Sequence, residues 1–293
     1  MTSHKSHLPL LIFAVLGVVW GSNFIYMKMA VDLITPGQVV LYRVCFGFLP
    51  VLAYAGVRRD MRLAHVRHAH HFLVMSVLAT AFYYYCFAKG ASLLLSGIAG
   101  AVSGAIPLFA FVMAIVFIPE EKATVRKLCG VLVALAGVVL IARPSGQEVL
   151  TTNLEGVGYM VAGSLGVGAS FVYARKFIVP LHIPAAALTT YQLGFGLLIL
   201  ALATDTSGIG RIWTSPHASA GLVVGLGLLG TGLAYILYYY IVDTMGAVAA
   251  SSVTYLPPVV ALFIGVLLVG EPITPADFAA TGMIFVGVFL LKE

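Results

Sequence analysis

The sequence predicts an all-α integral membrane protein: ten transmembrane helices, arranged as two inverted five-helix repeats around a central cavity. Three observations carry this expectation. Hydrophobic residues make up 61% of the 293-residue chain and charged residues only 9%, whereas charged residues are about 25% of a soluble globular domain. Ten apolar runs lie near 8 to 30, 36 to 57, 69 to 88, 91 to 118, 124 to 142, 154 to 176, 184 to 204, 218 to 240, 246 to 269 and 275 to 291, most of them approaching the roughly 20 residues that cross a ~30 Å hydrocarbon core. A five-span pattern ending near Ile141 recurs from about Leu154 to the C-terminus, which divides one membrane domain into units 1–146 and 147–293. Because each unit holds an odd number of spans, the second must lie upside down relative to the first. Lipid offers backbone groups no hydrogen-bond partner, so the runs are helices, and the weakly alternating ten-residue strands of an outer-membrane barrel are absent.

Span one follows a short polar start without a small-residue cleavage site, and is expected to be retained rather than removed as a signal peptide. Its Trp20 and Asn23, three apart, share a helix face. An amide in a membrane helix faces protein or water, so Asn23 either meets a solute or ties two helices. Span two carries Arg43, the one charge well inside a run; its repeat counterpart is the neutral Gln192. Arg43 could engage a substrate carboxylate, or it could be a structural charge that snorkels or donates to carbonyls, which is the expected role. Span three is aromatic, with Phe82, Tyr83, Tyr84, Tyr85 and Phe87; Tyr83 is the expected cavity residue, while rings near a span end suit the interfacial belt. In span four, Gly97, Gly100, Ala101 and Gly104 allow close helix contact. Pro107 lacks the N–H that would bond the carbonyl of Ser103.

The second unit repeats these features. Gly21, Phe24, Tyr26 and Lys28 recur as Gly168, Phe171, Tyr173 and Arg175, and Tyr42, Phe46 and Gly47 recur as Tyr191, Phe195 and Gly196. Ser164 and Ser170 lie in span six. Span eight offers the tyrosines Tyr235, Tyr238 and Tyr239 as a lining stripe, rings that combine apolar area with a hydroxyl. In span nine Pro257 and Pro258 repeat the kink, and Pro258 releases the carbonyl of Thr254. Glu120 and Glu271 follow Pro107 and Pro258 at the same spacing, and Gly137 near the end of the first unit answers Gly287 near the end of the second.

Charge placement sets orientation. Lys5, Arg58, Arg59, Arg62, Arg67, Lys122, Arg126, Lys127, Arg175, Lys176 and Lys292 would lie in the cytoplasm if both termini do, against Lys28, Lys89, Arg143 and Arg211 outside; positive residues favour the inside. The net charge of +5 therefore reflects topology, and no nucleic-acid module accompanies it. The acidic residues fall at termini, loops or span ends, and the histidines outside the spans. A proton-coupled exporter keeps an ionisable carboxylate or imidazole at its transport site, so gradient-driven, facilitated passage is expected. Cys45, Cys86 and Cys129 show neither a disulfide framework nor metal-ligand spacing. His65, His68, His70 and His71 are the nearest approach to a metal set and read as a solvated loop. No P-loop pattern is present, and no metal, cofactor or enzymatic activity is expected.

Trp20-Gly21-Ser22-Asn23-Phe24 with Lys28, the Tyr42-Arg43 pair, the paired prolines and acids, and the two five-span units resemble the drug/metabolite transporter superfamily, EamA type. The tyrosine-rich spans three and eight and the lack of embedded acids look most like its aromatic amino-acid exporters of the YddG type. The resemblance implies a basket of ten helices, with spans one, three, four, six, eight and nine nearest a cavity and five and ten peripheral, and export of amino acids or related metabolites from the bacterial cytoplasm. The second unit departs from the pattern at Val167-Gly168, where the first has Trp20-Gly21.

The combined expectation is a multi-pass protein of the bacterial inner membrane, termini cytoplasmic, that exports neutral, foremost aromatic, amino acids by alternating access. The substrate side chain would meet Trp20, Tyr83, Tyr235, Tyr238 and Tyr239, and the zwitterionic end Asn23, Ser103, Ser164, Thr254 and freed carbonyls. Pro107, Pro257 and Pro258 would be the hinges. A multidrug or nucleobase-type exporter is the alternative within the fold, and an integral-membrane enzyme the alternative outside it. The partners are a small-molecule substrate and the lipid bilayer; nucleic acid is not one, and oligomeric state is left open, a monomer being compatible with the sequence.

Overall fold

The computed structural model describes residues 8–118, 124–142, 153–245 and 253–291. Among the described residues no strand occurs, and ten helices follow in chain order: α1 (Leu8–Val31), α2 (Pro36–Val57), α3 (Leu63–Leu93), α4 (Ser96–Phe117), α5 (Val125–Ala142), α6 (Leu154–Leu181), α7 (Ala185–Ala203), α8 (Pro216–Met245), α9 (Val253–Val269) and α10 (Pro275–Leu290). Seven are long and apolar enough to cross a membrane, and α9 and α10 are shorter apolar helices. The starts are chemically marked. Thr35 and Gln38 form a reciprocal capping box ahead of Pro36, Thr274 and Asp277 form another ahead of Pro275, and Asn153 accepts from the Gly156 N–H. Each cap satisfies N–H groups that a helix start leaves open.

The helices pack by an exchange rule. α2 lies on α8 as α7 lies on α3; α1 lies on α9 as α6 lies on α4; α1 also touches α8 as α6 touches α3; and the pairs α2–α7, α4–α9 and α5–α10 map onto themselves. Swapping each of the first five helices for its counterpart in the second five leaves this pattern unchanged. Every one of these contacts joins the first five helices to the second five, so neither set builds its core alone.

Small residues make the contacts close. A Cβ added at Gly100 of α4 would collide with Cβ of Ala261 in α9, and one at Gly287 of α10 would stand 2.5 Å from backbone atoms of α5. Without a hydrophobic drive between helices in lipid, such van der Waals fit is what holds them.

The proline sites differ from simple kinks within continuous helices. α4 is two helices, Ser96–Ser103 and Ile106–Phe117, separated at Gly104 and Ala105, with Pro107 in the first turn of the second. In α9 a 3₁₀ turn, Val253–Tyr255, precedes Leu256–Ile264, whose first turn holds Pro257 and Pro258. Proline is tolerated there because a first-turn N–H has no intrahelical partner to lose. The two breaks meet: Pro258 Cγ lies 3.2 Å from the Cβ position of Gly104.

Further irregularities are π-helical. Val77–Ala81 in α3 and Gly221–Leu233 in α8 are wound with i→i+5 bonds, seen where the Phe82 N–H reaches the Val77 carbonyl and the Ala234 N–H the Leu229 carbonyl. These two stretches occupy counterpart helices. Glu271, which follows α9, accepts from the Ser96 N–H and hydroxyl at 2.7 Å and from the Gly97 N–H at 2.9 Å. The repeated acid is thus an N-terminal cap donated across the units to α4; its counterpart Glu120 lies outside the described residues.

Candidate substrate cavity

A cavity of about 220 Å³ lies between the units, walled by α1, α2, α3, α4, α6, α8 and α9. The resemblance placed six of these helices there and α5 and α10 outside. The addition is α2, which contributes Arg43 alone.

The walls obey the same exchange as the helices. Trp20, Asn23 and Phe24 of α1 correspond in the repeat to Val167, Ser170 and Phe171 of α6; Ala79, Tyr84 and Phe87 of α3 to Gly230, Tyr235 and Tyr238 of α8; Ser103 and Ile106 of α4 to Thr254 and Pro257 of α9. Met27, Arg43 and Tyr83 line the cavity without a counterpart. The lining thus follows a pseudo-two-fold axis on which Phe24/Phe171 and Tyr84/Tyr235 are identical pairs and the other six pairs differ, most in size at Trp20/Val167.

Most of the residues singled out from the sequence converge here. Trp20, Asn23, Tyr83, Ser103, Tyr235, Tyr238, Thr254 and Pro257 line the wall, as does Arg43. Others do not. Ser164 is fully buried and donates to the Met160 carbonyl at 2.8 Å, a bond within its own helix. Tyr239 points away to Thr189 of α7, whose hydroxyl it bonds. Pro107 and Pro258 stand behind the wall at the breaks of α4 and α9. Sequence reasoning passed over Tyr84, Phe87 and Ile106. The signal was present in the repeat itself, since Tyr84 matches Tyr235 at the spacing by which Ser103 matches Thr254.

The electrostatics centre on Arg43. It is 4% exposed. Its Nε donates to the Thr231 hydroxyl at 3.0 Å, Nη1 approaches the Met27 sulfur at 4.0 Å, and the guanidinium carbon stands 3.9 Å over the Tyr84 ring. It lies seven residues into α2, and the expectation of a snorkelling side chain meets a buried one whose polar head turns to Thr231, Met27 and the Tyr84 ring. The reason is a prepared berth. Gly47, one turn on, lets α2 press against Thr231, where a Cβ would come within 2.6 Å, and the π-helical winding of α8 presents the Thr231 hydroxyl. On the opposite side Gln192 Nε2 donates to the Thr80 hydroxyl of π-wound α3 at 2.9 Å, with Gly196 packed on Thr80. The two units build the same joint, and only one carries a charge.

No carboxylate lies within ion-pair distance of Arg43 among the described residues; Arg58, at the other end of α2, pairs with Asp60 at 3.3 Å. A buried ion carries an effective penalty of several kcal/mol. A desolvated cation–π contact returns about 2 kcal/mol, and a hydrogen bond to a charged group about 1.5–3 kcal/mol. The guanidinium is thus held, but its charge is not neutralised. In the same cavity wall, Asn23 Oδ1 is buried against Gly230 without a hydrogen-bond partner. At the other end Trp20 and Tyr238 pack ring to ring at 5.9 Å. Among the described residues no group of three or more His, Cys, Asp or Glu side chains is placed to hold a metal ion; His65 and His71 instead meet the tyrosine hydroxyls of Tyr191 and Tyr173 at 3.2 and 2.7 Å.

A bundle of ten membrane helices, related by internal exchange and enclosing a small cavity on that axis, is the architecture of a secondary transporter. The chain belongs to the EamA-like transporter family, which matches it twice, over residues 8–143 and 154–292. It is similar to the uncharacterized transporter YdfC of Bacillus subtilis, 26% identical over 86% of this chain and 80% of that protein, and to the uncharacterized inner membrane transporter YedA of Escherichia coli K12, 27% identical over 94% and 87%. A protein of Streptantibioticus cattleyicolor named probable terminal-alkyne amino-acid exporter is 24% identical over 68% of this chain and 64% of its own length. A solved crystal structure shares the fold at a TM-score of 0.63 and 20% identity, covering 97% of this chain and 96% of that one.

Proposed function

We propose that the protein exports neutral, foremost aromatic, amino acids across the bacterial inner membrane by alternating access, down their gradient and without proton coupling. The observation that carries this reading is the cavity's composition: an aromatic wall, one buried guanidinium and no carboxylate. An aromatic ring finds Trp20 and Tyr238, and a polar head finds Arg43 and Asn23. At about 220 Å³ the cavity lies below the roughly 300–1,000 Å³ of drug-sized sites, which favours a small metabolite over a multidrug range. Permanently cationic drugs meet a cation without a counter-charge. The amino-acid exporter name of the Streptantibioticus relative points the same way, and the inner-membrane name of YedA fits the compartment.

The units 1–146 and 147–293 are the two repeats that would exchange roles as the cavity opens to one side and then the other, supported by the twofold family match and the exchange rule in the packing. The Lys and Arg distribution supports cytoplasmic termini. The test is counterflow in liposomes with labelled amino acids: phenylalanine, tryptophan or leucine exchanges. If all three fail while another metabolite exchanges, the substrate assignment is wrong. Uphill movement driven by a pH gradient alone would refute the absence of proton coupling.

A further inference from the structure

We propose that Arg43 and Asn23 form a head-group site for an α-amino-acid zwitterion, Arg43 taking the carboxylate and Asn23 the ammonium. This rests on the amino-acid reading above and deepens it by assigning an orientation. Arg43 lines the cavity, is 4% exposed and has no acidic partner within ion-pair distance among the described residues. Its Nε is committed to Thr231 and its face to Tyr84, which fixes the plane of the guanidinium and leaves its outer N–H edge for a ligand. A carboxylate matches that edge with paired, charge-assisted bonds.

Asn23 is the second, independent observation. It is 5% exposed, lines the same cavity, and its Oδ1 has no partner. That oxygen is packed on Gly230 of α8 beside the Gly225 carbonyl, a costly place for an unpaired acceptor. A half-turn of the amide sets the nitrogen there instead and offers the oxygen to the cavity, where an ammonium group is its complement. Spacing along α1 sets the direction. Trp20, Asn23 and Met27 follow one face at about 1.5 Å per residue, so the aromatic contact, the acceptor and the Arg43 berth against Met27 succeed one another at intervals of about 4.5 and 6 Å. An aromatic amino acid would lie with its ring on Trp20 and Tyr238 and its carboxylate toward the α1–α2 turn. The counterpart positions Val167, Ser170 and Gln192 provide no cation, so the reversed pose has no anion site.

The experiment compares phenylalanine with phenylalaninamide, 2-phenylethylamine and 3-phenylpropionate as competitors in counterflow. Removing a hydrogen bond to a charged group should weaken competition about tenfold or more. Arg43→Gln is expected to raise the phenylalanine KM by about the same factor and to erase its advantage over phenylalaninamide. Asn23→Ala should erase the advantage over 3-phenylpropionate. An unchanged KM and an unchanged preference over the amide in Arg43→Gln would overturn the site while leaving amino-acid transport intact. Equal competition by 3-phenylpropionate in the unaltered protein would overturn the ammonium contact. Should the variants fail to fold, thermal stabilisation of the purified unaltered protein decides: phenylalanine is expected to raise Tm more than phenylalaninamide, and equal shifts refute the site. If no amino acid exchanges, the functional reading fails, and the Arg43 contact is judged by whether 3-phenylpropionate stabilises more than 2-phenylethylamine; no preference overturns it.

Discussion

At the scale of single residues, the cavity is governed by a few side chains whose surroundings dictate their work. Trp20 packs on Tyr238, and an aromatic pair is worth about 0.5–1.5 kcal/mol beyond area burial. Trp20→Ala should therefore weaken transport of aromatic amino acids about 2- to 10-fold, with a smaller effect on leucine, as read from KM in liposomes. Gly100 has no room for a side chain against Ala261. Gly100→Leu should destabilise the fold by at least the about 1–3 kcal/mol typical of overpacking, read as a fall in Tm of the purified protein. What was legible at this scale was the type of residue and its face: Trp20 and Asn23, three apart, do share the cavity. What stayed hidden was the direction of side chains sharing a run of like residues. Tyr239 turns to Thr189 and Tyr84 turns inward, and only packing against the neighbouring helix separates such choices.

At the scale of elements, the prolines were read correctly as interruptions but not as helix starts. Pro107 and Pro258 open new segments because the preceding residues had already left the helix, and that depends on Gly104 and on the 3₁₀ turn before Leu256. Pro107→Ala or Pro258→Ala should slow transport more than it lowers folded yield; equal losses would assign them a purely structural role. The π-wound stretches left no trace in the periodicity, since one extra residue per turn shifts an apolar pattern that is apolar on every side. Their consequence is the pair of cross-unit joints, Arg43 with Thr231 and Gln192 with Thr80. Thr231→Val and Thr80→Val each strand a buried donor, at about 1–3 kcal/mol and more for a charged one. The Thr231 change should therefore lower Tm further than the Thr80 change, a comparison that thermal unfolding in detergent makes directly.

At the scale of the whole molecule, the repeat made ten helices about a central cavity readable, and the family resemblance added that α5 and α10 lie outside it. It also hid something, because a repeat tells which positions correspond but not which unit's helices touch. In the structure the dominant contacts cross between units, so rocking must slide glycine-lined surfaces rather than swing two self-contained bodies. In a background without Cys45, Cys86 and Cys129, a cysteine at Arg62 should react with an impermeant reagent only from the cytoplasmic side and one at Ser207 only from the other; the reverse labelling would refute the proposed orientation.

The near-symmetric wall also bears on how a passenger is registered. A site that looked the same after a half-turn would offer every passenger two equivalent berths, and one berth wins only where the equivalence is broken. Here it is broken by Arg43, Met27 and Tyr83, which have no counterpart in the lining, and by unlike pairs such as Trp20 with Val167 and Asn23 with Ser170. Replacing Arg43 by glutamine would make the two joints alike, so a bound amino acid should then populate both berths rather than one.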